Sequence, residues 1–455
     1  MIAAGALRPW LTRMPRAPWL TGRRALIGGL LALVVLPAMV LRIDAADRRP
    51  GQPSADERAY VRLAKDLRAG SGYGDSGIAH PLHWAPGAPV LFALADAVSG
   101  KPANQPLDTH AARSAQAVVG GLTIVAAFAL AALIGGAWAG LAAAVAVAFY
   151  PPMIYATTQL TSEILGALAV TVALGAVAWA WTRDRMGAYA AAGVALGAAC
   201  LVRADVLAAA LVLGPVAGLL RARRVGWRRG LAVAGVTLAG VLAIVGPWST
   251  WASIRDRTFV PITDGGPTTL FVATYLPGHG TIFGLKHALA RAAVKVHPSI
   301  RNKPIFKEPE KVFLDAVAAR HPHLTRNAAI SAEVRRNLRV YLLGHPVAFG
   351  KMVAAKIWRM WGFPFRGRFR GVTDTTIWVH RALLALALAG ALAALVRRRS
   401  TPLVLVAVVL AATATVDVAF VAEARHAFRL FPSLLAAGAA GWALTIRARR
   451  QAAAG

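Results

Sequence analysis

The sequence is poor in cysteine and in acidic residues. Cys200 is its one cysteine, and 20 Asp and Glu stand against 51 Lys and Arg in 455 residues. A single cysteine excludes an intrachain disulfide and a metal site built from several thiolates. The sequence also has no Walker or dinucleotide-binding fingerprint and no convincing internal repeat. We therefore do not expect cytoplasmic ATP to drive its activity.

Long apolar runs dominate what is present. Hydrophobic residues make up 57% of the chain and the mean hydropathy is +0.54. Apolar runs of about 17 to 22 residues recur, which is the length of a helix that spans a bilayer. This pattern predicts an all-α polytopic membrane protein with ten transmembrane helices. The ten runs lie at about 25–42, 113–134, 137–155, 161–181, 187–202, 204–220, 230–250, 377–396, 402–422 and 427–446.

Basic clusters indicate the orientation of these spans. With the N-terminus in the cytoplasm, the clusters at 183–185, 221–229, 397–399 and 447–450 all fall on the cytoplasmic side, as Lys and Arg of short loops do. No small-residue cleavage site follows the first run, so we predict an uncleaved span in the cytoplasmic membrane. The predicted segments are a cytoplasmic N-terminus with the first span (1–43), a first extracytoplasmic loop (44–112), spans two to seven (113–250), a long extracytoplasmic loop (251–376), spans eight to ten (377–446) and a cytoplasmic tail (447–455).

The long loop is strongly basic, with 20 Lys and Arg against 7 Asp and Glu over 251–376. Within it, residues 339–365 mix Trp and Phe with Lys and Arg, which is typical of helices that lie in the membrane interface. The expected partners of this surface are membrane lipids. Because topology accounts for the basic residues and no nucleic-acid-binding fold is recognisable, we expect no nucleic acid partner.

The first loop opens with the stretch PSADERAYVRLAKDLRAGSGYG, residues 53–74. Its periodicity predicts a short amphipathic helix over 56–68, with an apolar face that lies on the membrane. Ser54 and Glu57 form a capping-box pattern, which gives Glu57 a structural role. Asp56 has no such role in that pattern. It is either an acid favoured by the helix dipole or a group directed at something on the membrane surface.

The order of several short motifs resembles the GT-C superfamily of polyprenyl-phosphate-sugar-dependent glycosyltransferases. The similarity is greatest to the branch that holds protein O-mannosyltransferases and lipid A aminoarabinose transferases (glycosyltransferase family 39-like). The matching pieces are Asp56, Glu57 and Tyr60 after the first span, LRAGSGY (67–73), HPLHWAPGAPVLFAL (80–94), the segment from Pro152 to Glu163, GPW (246–248) and EARHAFRLFPSLLAAGAAG (423–441).

The resemblance implies a GT-C-like helical bundle that moves a sugar from a polyprenyl-phosphate carrier to a hydroxyl of a glycan, lipid or protein acceptor. Transfer in such enzymes takes place at the extracytoplasmic face, usually with inversion at the anomeric carbon. The implied activity is that of an inverting hexosyl- or pentosyltransferase. Such a reaction needs a carboxylate that accepts the acceptor's proton and cations that stabilise the departing phosphate.

Family members carry the catalytic aspartate in the first outer loop, so the resemblance implies that Asp56 is the base, with Glu57 as the second candidate. Asp44 is a third candidate, although an ordinary interfacial acid near Arg42 explains it as well. Glu163 matches an acid that lines the family's active-site cavity. Its alternative role is to favour the start of the fourth span.

The predicted phosphate contacts are Arg203 and Arg425, because each lies at an outward-facing turn between spans and arginine suits phosphate. The structural alternatives are a pair between Arg203 and Asp205, and snorkelling or a pair with Glu423 for Arg425. Tyr60 and His426 belong to the matched motifs and are further binding candidates.

His80 and His83 stand where aminoarabinose transferases have an acidic and a basic residue. Because of this departure, the resemblance does not identify the transferred sugar, and both histidines are binding candidates. Asp417 lies in an apolar span, so we expect it to face the bundle interior, where it either lines the site or pairs with a neighbour.

Other interpretations remain open. A divalent cation is possible if the fold gathers Asp56, Glu57 and Glu163, but no ligand pattern demands one. The alternative function is a transporter or flippase of a lipid-linked cell-envelope intermediate, although the mid-span charge ladder and matching halves of many transporters are missing. A non-catalytic scaffold would be indifferent to changes at Asp56.

Overall fold

The computed structural model describes residues 18–48, 52–75, 77–78, 80–296, 299, 309–366, 372–397 and 400–454. All regular structure in these ranges is helical, as the sequence predicts. The α-helices in chain order are α1 (Pro18–Asp47), α2 (Ala55–Ala69), α3 (Gly87–Val98), α4 (Thr109–Gly135), α5 (Ala137–Ala148), α6 (Pro151–Tyr155), α7 (Glu163–Arg183), α8 (Met186–Val202), α9 (Leu207–Val225), α10 (Trp227–Asp256), α11 (Gly266–Thr274), α12 (Ile282–Val296), α13 (Pro309–Ala319), α14 (Arg326–Asn337), α15 (Pro346–Trp361), α16 (Asp374–Val396), α17 (Thr401–Ala419) and α18 (Ala424–Ala454).

All ten apolar runs are helical. Within the described ranges, eight helices are long and apolar enough to cross a membrane, and α5 with the helical segment 151–158 is a ninth span if the two count as one. The tenth run is α8, whose 17 residues lie at the short end of the range for a span. Arg203, just after α8, pairs with Glu163 at the start of α7, and α8 begins three residues after α7 ends. The two helices therefore run antiparallel over the same depth of the bundle.

The span predicted at 137–155 is not straight. It bends by 62° between α5 and the segment 151–158. Pro151 and Pro152 follow the break, and proline removes a backbone donor and disfavours helix in the residue before it. Arg42 of α1 is fully buried and donates to the carbonyls of Val147 and Ala148, at 3.2 and 3.0 Å. The guanidinium thereby satisfies carbonyl groups that the end of α5 leaves without helical partners.

Small residues allow the spans to approach closely, as they do in other membrane bundles. A Cβ added to Gly193 of α8 would lie 2.1 Å from the carbonyl oxygen of Thr237 in α10. A Cβ at Gly438 of α18 would lie 2.4 Å from Cα of Ala387 in α16. Side chains at either glycine would force the paired helices apart.

The segment between α1 and α4, which is the predicted first extracytoplasmic loop, packs on the bundle through α2 and α3. Helix α2 begins with the predicted capping box, because Ser54 and Glu57 each accept a hydrogen bond from the other's backbone N–H. The prediction that its apolar face lies on the membrane is wrong. Tyr60 and Ala64 are buried against protein, in a cluster with Phe92 of α3 and Leu160.

The predicted long extracytoplasmic loop holds α11 to α15, and α11 to α14 share a small apolar core. The segment predicted to be interfacial contains a π-helix (Leu338–Leu343) and α15. Helix α15 buries Met352, Lys356 and Met360 at a spacing of four residues, and it exposes Val347 and Trp358 on its outer side. An exposed apolar side suits contact with lipid, and the interfacial position stays a prediction.

Candidate active site

The centre of the candidate site is an ion pair between two predicted residues. Arg425 Nη1, in the first turn of α18, donates to Asp56 Oδ2 in the first turn of α2 at 2.8 Å. The Nε of Arg425 lies 3.2 Å from Glu423 Oε2, so one guanidinium lies between two carboxylates. The Asp56 and Arg425 side chains are 40% and 35% exposed, which leaves the pair open to a substrate.

A second group of predicted residues lies beside this pair. Arg203 Nη1 donates to Ser162 Oγ at 3.2 Å and lies 3.8 Å from Glu163 Oε1. The Tyr60 hydroxyl donates to the same Ser162 oxygen at 3.1 Å. Burial, together with the charge of Glu163, raises the pKa of Tyr60, so the phenol stays protonated and available as a donor. Tyr60 thus links α2 to the start of α7.

On the side of the bundle interior, Arg203 is part of a buried ionic network with Asp205, Arg429 and Asp417. Asp205 Oδ2 accepts a hydrogen bond from Arg203 Nη2 at 2.9 Å and lies 2.9 Å from Arg429 Nη2. Arg429 Nη2 also donates to both carboxylate oxygens of Asp417, at 2.7 and 2.9 Å. Asp417 therefore faces the bundle interior, as predicted from the sequence, and has a cationic partner there.

Sequence reasoning missed Arg429, whose side chain is fully buried. A usable signal was present, because Arg429 follows Arg425 by one helical turn inside an apolar span, where an ionisable residue is costly. Its Nε and Nη1 have no hydrogen-bond partner among the described residues.

Burial increases stepwise from the Asp56–Arg425 pair into the bundle. The side chain of Arg203 is 14% exposed and that of Arg429 is 0% exposed. Gly166 of α7 makes this arrangement possible, because a Cβ there would lie 3.1 Å from Arg203 Cγ and 3.7 Å from Arg429 Cβ. The Asp56–Arg425 pair is therefore the most exposed part of this arrangement.

The side chain of Glu57 binds backbone groups and not the charged residues of the site. Its side chain is buried, one carboxylate oxygen closes the start of α2 and the other accepts from the Leu160 N–H at 3.3 Å. The prediction of Glu57 as an alternative base is therefore not supported, because both oxygens already have backbone partners. Asp44 lies outside the site as well, where it is exposed and paired with Arg48.

The predicted histidines take different positions. His426 Nδ1 accepts from the Glu423 N–H at 3.1 Å and so closes the turn before α18, which leaves Nε2 for any ligand. His80 and His83 are exposed on and beside a short 3₁₀ helix (Pro81–His83). The ring of His83 lies against Gly265, where a Cβ would be 2.4 Å from Nδ1. His83 is also close enough to interact electrostatically with Asp56.

The described residues do not assemble a metal site. No three His, Cys, Asp or Glu among them are placed to hold an ion. Glu57 is committed to backbone groups, and both Asp56 and Glu163 face arginines. The possible divalent cation between Asp56, Glu57 and Glu163 therefore does not fit this arrangement.

One family profile matches this chain, that of dolichyl-phosphate-mannose-protein mannosyltransferases, over residues 85–251. The match includes Glu163 and Arg203 and excludes Asp56 and Arg425. Solved structures extend the similarity to nearly the whole chain. The archaeal oligosaccharyltransferase AglB from Archaeoglobus fulgidus, in complex with an inhibitory peptide and a dolichol-phosphate, has a TM-score of 0.54 at 18% identity, covering 94% of this chain and 52% of that one. The chain has the GT-C fold.

Further GT-C structures are also similar. An Archaeoglobus fulgidus oligosaccharyltransferase tethered to an acceptor peptide with the NVT sequon has a TM-score of 0.52 at 17% identity, covering 92% of this chain and 50% of that one. ArnT from Cupriavidus metallidurans, bound to undecaprenyl phosphate, has a TM-score of 0.43 at 19% identity, covering 91% and 77%. No curated protein sequence matches. The chain spans about half the length of the oligosaccharyltransferases whose GT-C fold it shares.

Proposed function

We propose that the protein is a membrane glycosyltransferase that moves a sugar from a polyprenyl-phosphate donor to a hydroxyl of a glycan, lipid or protein acceptor. The observation that carries this proposal is the open pair between Asp56 and Arg425. It places a carboxylate beside a guanidinium at the exposed end of a buried ionic network. The GT-C fold and the mannosyltransferase profile support the same conclusion.

The proposed reaction assigns each group a specific task. The acceptor hydroxyl oxygen attacks the anomeric carbon, and its proton passes to Asp56 as the new C–O bond forms. The bond from the anomeric carbon to the phosphate oxygen breaks, and its electron pair leaves with the polyprenyl phosphate. Attack opposite the leaving group inverts the anomeric centre. A positioned base contributes about 10² to 10⁴ in rate to such a step.

Arg425 and Arg203 are the proposed contacts of the phosphate. The phosphate competes with Asp56 and Glu423 for Arg425, because a guanidinium binds phosphate through two parallel hydrogen bonds. When Arg425 turns to the phosphate, Asp56 loses its partner and becomes free to accept a proton. Donor binding thereby activates the base, which limits proton transfer to the loaded enzyme.

The remaining predicted residues have supporting tasks in this proposal. Glu163 sets the position of Arg203 through their ion pair, and Tyr60 holds Ser162 between α2 and α7. His83 and the free Nε2 of His426 are proposed sugar or phosphate contacts. His80 is a proposed contact only through its position next to His83. The site faces the extracytoplasmic side of the cytoplasmic membrane in the orientation that the basic clusters predict.

A donor panel tests this function. The protein, reconstituted in lipid, is offered radiolabelled polyprenyl-phosphate sugars with a membrane extract as acceptor. Loss of label from the lipid and its appearance in acceptor is the expected result for at least one donor. Movement of the intact lipid across the bilayer without transfer would instead establish the transporter or flippase. Neither the family profile nor the structural similarity favours that alternative.

A further inference from the structure

Lys356 is a buried lysine with no carboxylate partner among the described residues. It lies in the middle of the buried stripe of α15, between Met352 and Met360, and it is 1% exposed. Its Nζ donates to the Phe420 carbonyl at 2.7 Å and lies 3.5 Å from the Ala273 carbonyl oxygen. An amphipathic helix ordinarily buries its apolar side chains and exposes its lysines, whereas α15 exposes Val347 and buries Lys356.

The two carbonyls explain why the ammonium is tolerated there. Phe420 follows the last residue of α17, and Ala273 is in the last turn of α11. The C-terminal end of a helix has unsatisfied carbonyl groups and a partial negative charge, and both favour a cation. Lys356 thus lies between the negative ends of two helices.

The surrounding backbone leaves room for this side chain. Gly280 has φ of +63°, and a Cβ there would lie 2.9 Å from Lys356 Cδ and 3.0 Å from the Ala273 oxygen. One turn further along α15, Arg359 Nη2 donates to the neighbouring His279 carbonyl at 2.9 Å. Helix α15 therefore donates hydrogen bonds both to the end of α17 and to the neighbouring segment 273–279.

The carbonyl that Lys356 binds belongs to the turn that leads to the site residues Glu423 and Arg425. Residues 420–423 connect α17 to α18, and Glu423 and Arg425 follow within five residues of Phe420. Arg425 in turn meets Asp56. A shift of the Phe420 carbonyl therefore changes where Arg425 stands relative to the carboxylate of α2.

We infer that Lys356 is a positioning residue that couples α15 to the turn 420–423 and so fixes the guanidinium of Arg425 opposite Asp56. The inference rests on the proposed function for its effect on catalysis, whereas the coupling itself is independent of that function. Burial lowers the pKa of Lys356 to about 8, with a further contribution from Arg359, so the fold bears a cost for keeping this cation. A positioning role accounts for that cost.

The test compares Lys356→Met with Lys351→Met in lipid nanodiscs. Methionine fills a similar volume and removes the donor, whereas Lys351 is an exposed lysine on the same helix. Amide hydrogen exchange of residues 420–426 is expected to increase about tenfold or more in Lys356→Met, because a hydrogen bond from a charged donor is lost. It is expected to stay at the native rate in Lys351→Met. Lys356→Arg, which keeps a charged donor, should restore most of the protection.

Kinetics provide the second readout. For Lys356→Met, we expect a rise in KM for the lipid donor of about tenfold with no fall in melting temperature, a split that a merely structural role would not produce. If Lys356→Met does not fold, Lys356→Gln, whose amide is too short to reach Phe420, takes its place. Native exchange at 420–426 in the variant would overturn the coupling. If the native protein transfers no sugar while exchange still increases in the variant, the proposed function fails and the coupling stands.

Discussion

Arg425 Nη1 donates to Asp56 Oδ2 at 2.8 Å, although the two residues are 369 positions apart in the chain. Asp56 belongs to α2, the helix that follows the first span, and Arg425 lies in the first turn of α18, the last span. The pair joins the two ends of the sequence at the exposed edge of a buried ionic network. Its opening on donor binding is the step on which the proposed chemistry depends.

Arg425→Gln should abolish the phosphate contact while leaving the fold intact. We expect kcat/KM for the lipid donor to fall by about 10² to 10³, the loss typical of one preorganised charged or hydrogen-bonding group. Steady-state kinetics with a labelled donor measure this. Arg62→Gln is the matched control, because Arg62 is exposed on α2. Equal activity of both variants would remove Arg425 from phosphate binding.

Arg429→Met should destabilise the protein strongly. It leaves Asp417 and Asp205 buried beside each other without the guanidinium that links them, and breaking such an arrangement costs about 3 to 5 kcal/mol. Denaturant unfolding in detergent reports the loss. Arg449→Met, at an exposed position of the same helix, should change stability by less than about 0.5 kcal/mol. Native stability of Arg429→Met would contradict the buried network.

Gly166→Ala should reduce activity more than stability. The new methyl group would press on Arg203 at 3.1 Å from Cγ and displace the guanidinium from Ser162. We expect transfer to fall by about tenfold, since small displacements of positioning groups reduce rates sharply. Gly175→Ala, in the same helix with nothing within 4 Å, should keep full activity and gain about 0.5 to 1 kcal/mol of helix stability. Matching activities in the two variants would show that Arg203 tolerates the shift.

The lowered pKa of Lys356 predicts that the free energy of unfolding rises with pH. Its folded pKa of about 8 is below the ordinary value of 10.5, so between these pH values the folded state has lost a proton that the unfolded state still binds. The free energy of unfolding should therefore increase through this window, by about 3 kcal/mol at most, and level off above it. Subtracting the profile of Lys356→Met isolates this contribution. A flat difference between pH 8 and 10.5 would mean that the ammonium is not destabilised by burial.

The sequence predicts the helical architecture because bilayer solvation leaves a strong local signal. Eight of the ten predicted spans are single helices of sufficient length and apolarity in the described ranges, and the capping box at Ser54 and Glu57 is a local pattern that the structure confirms. The bend after α5 could not be predicted fully. Its prolines are visible in the sequence, but the bonds from Arg42 to the end of α5 depend on how two distant helices pack.

In the candidate site too, local motifs were predictable from the sequence and contacts between distant residues were not. Sequence motifs named Asp56, Glu163, Arg203 and Arg425, and the fold brings all four to one end of the bundle, while their roles stay predictions. The membrane-facing interpretation of α2 was wrong, because an amphipathic period does not reveal whether lipid or protein covers the apolar face. The second carboxylate oxygen of Glu57 was equally unpredictable, since its partner at Leu160 is 103 positions away.

The most direct test of the account is sugar transfer by Asp56→Asn, compared with Asp44→Asn, in lipid with the donor that the native protein uses. Asparagine keeps the shape and a hydrogen-bonding oxygen for Arg425 but accepts no proton, so we predict a fall in kcat of about 10² to 10⁴ with intact folding and donor binding. Asp44 is exposed and outside the site, and its variant should match the native rate. Native turnover by Asp56→Asn would contradict the assignment of Asp56 as the base and with it the proposed mechanism.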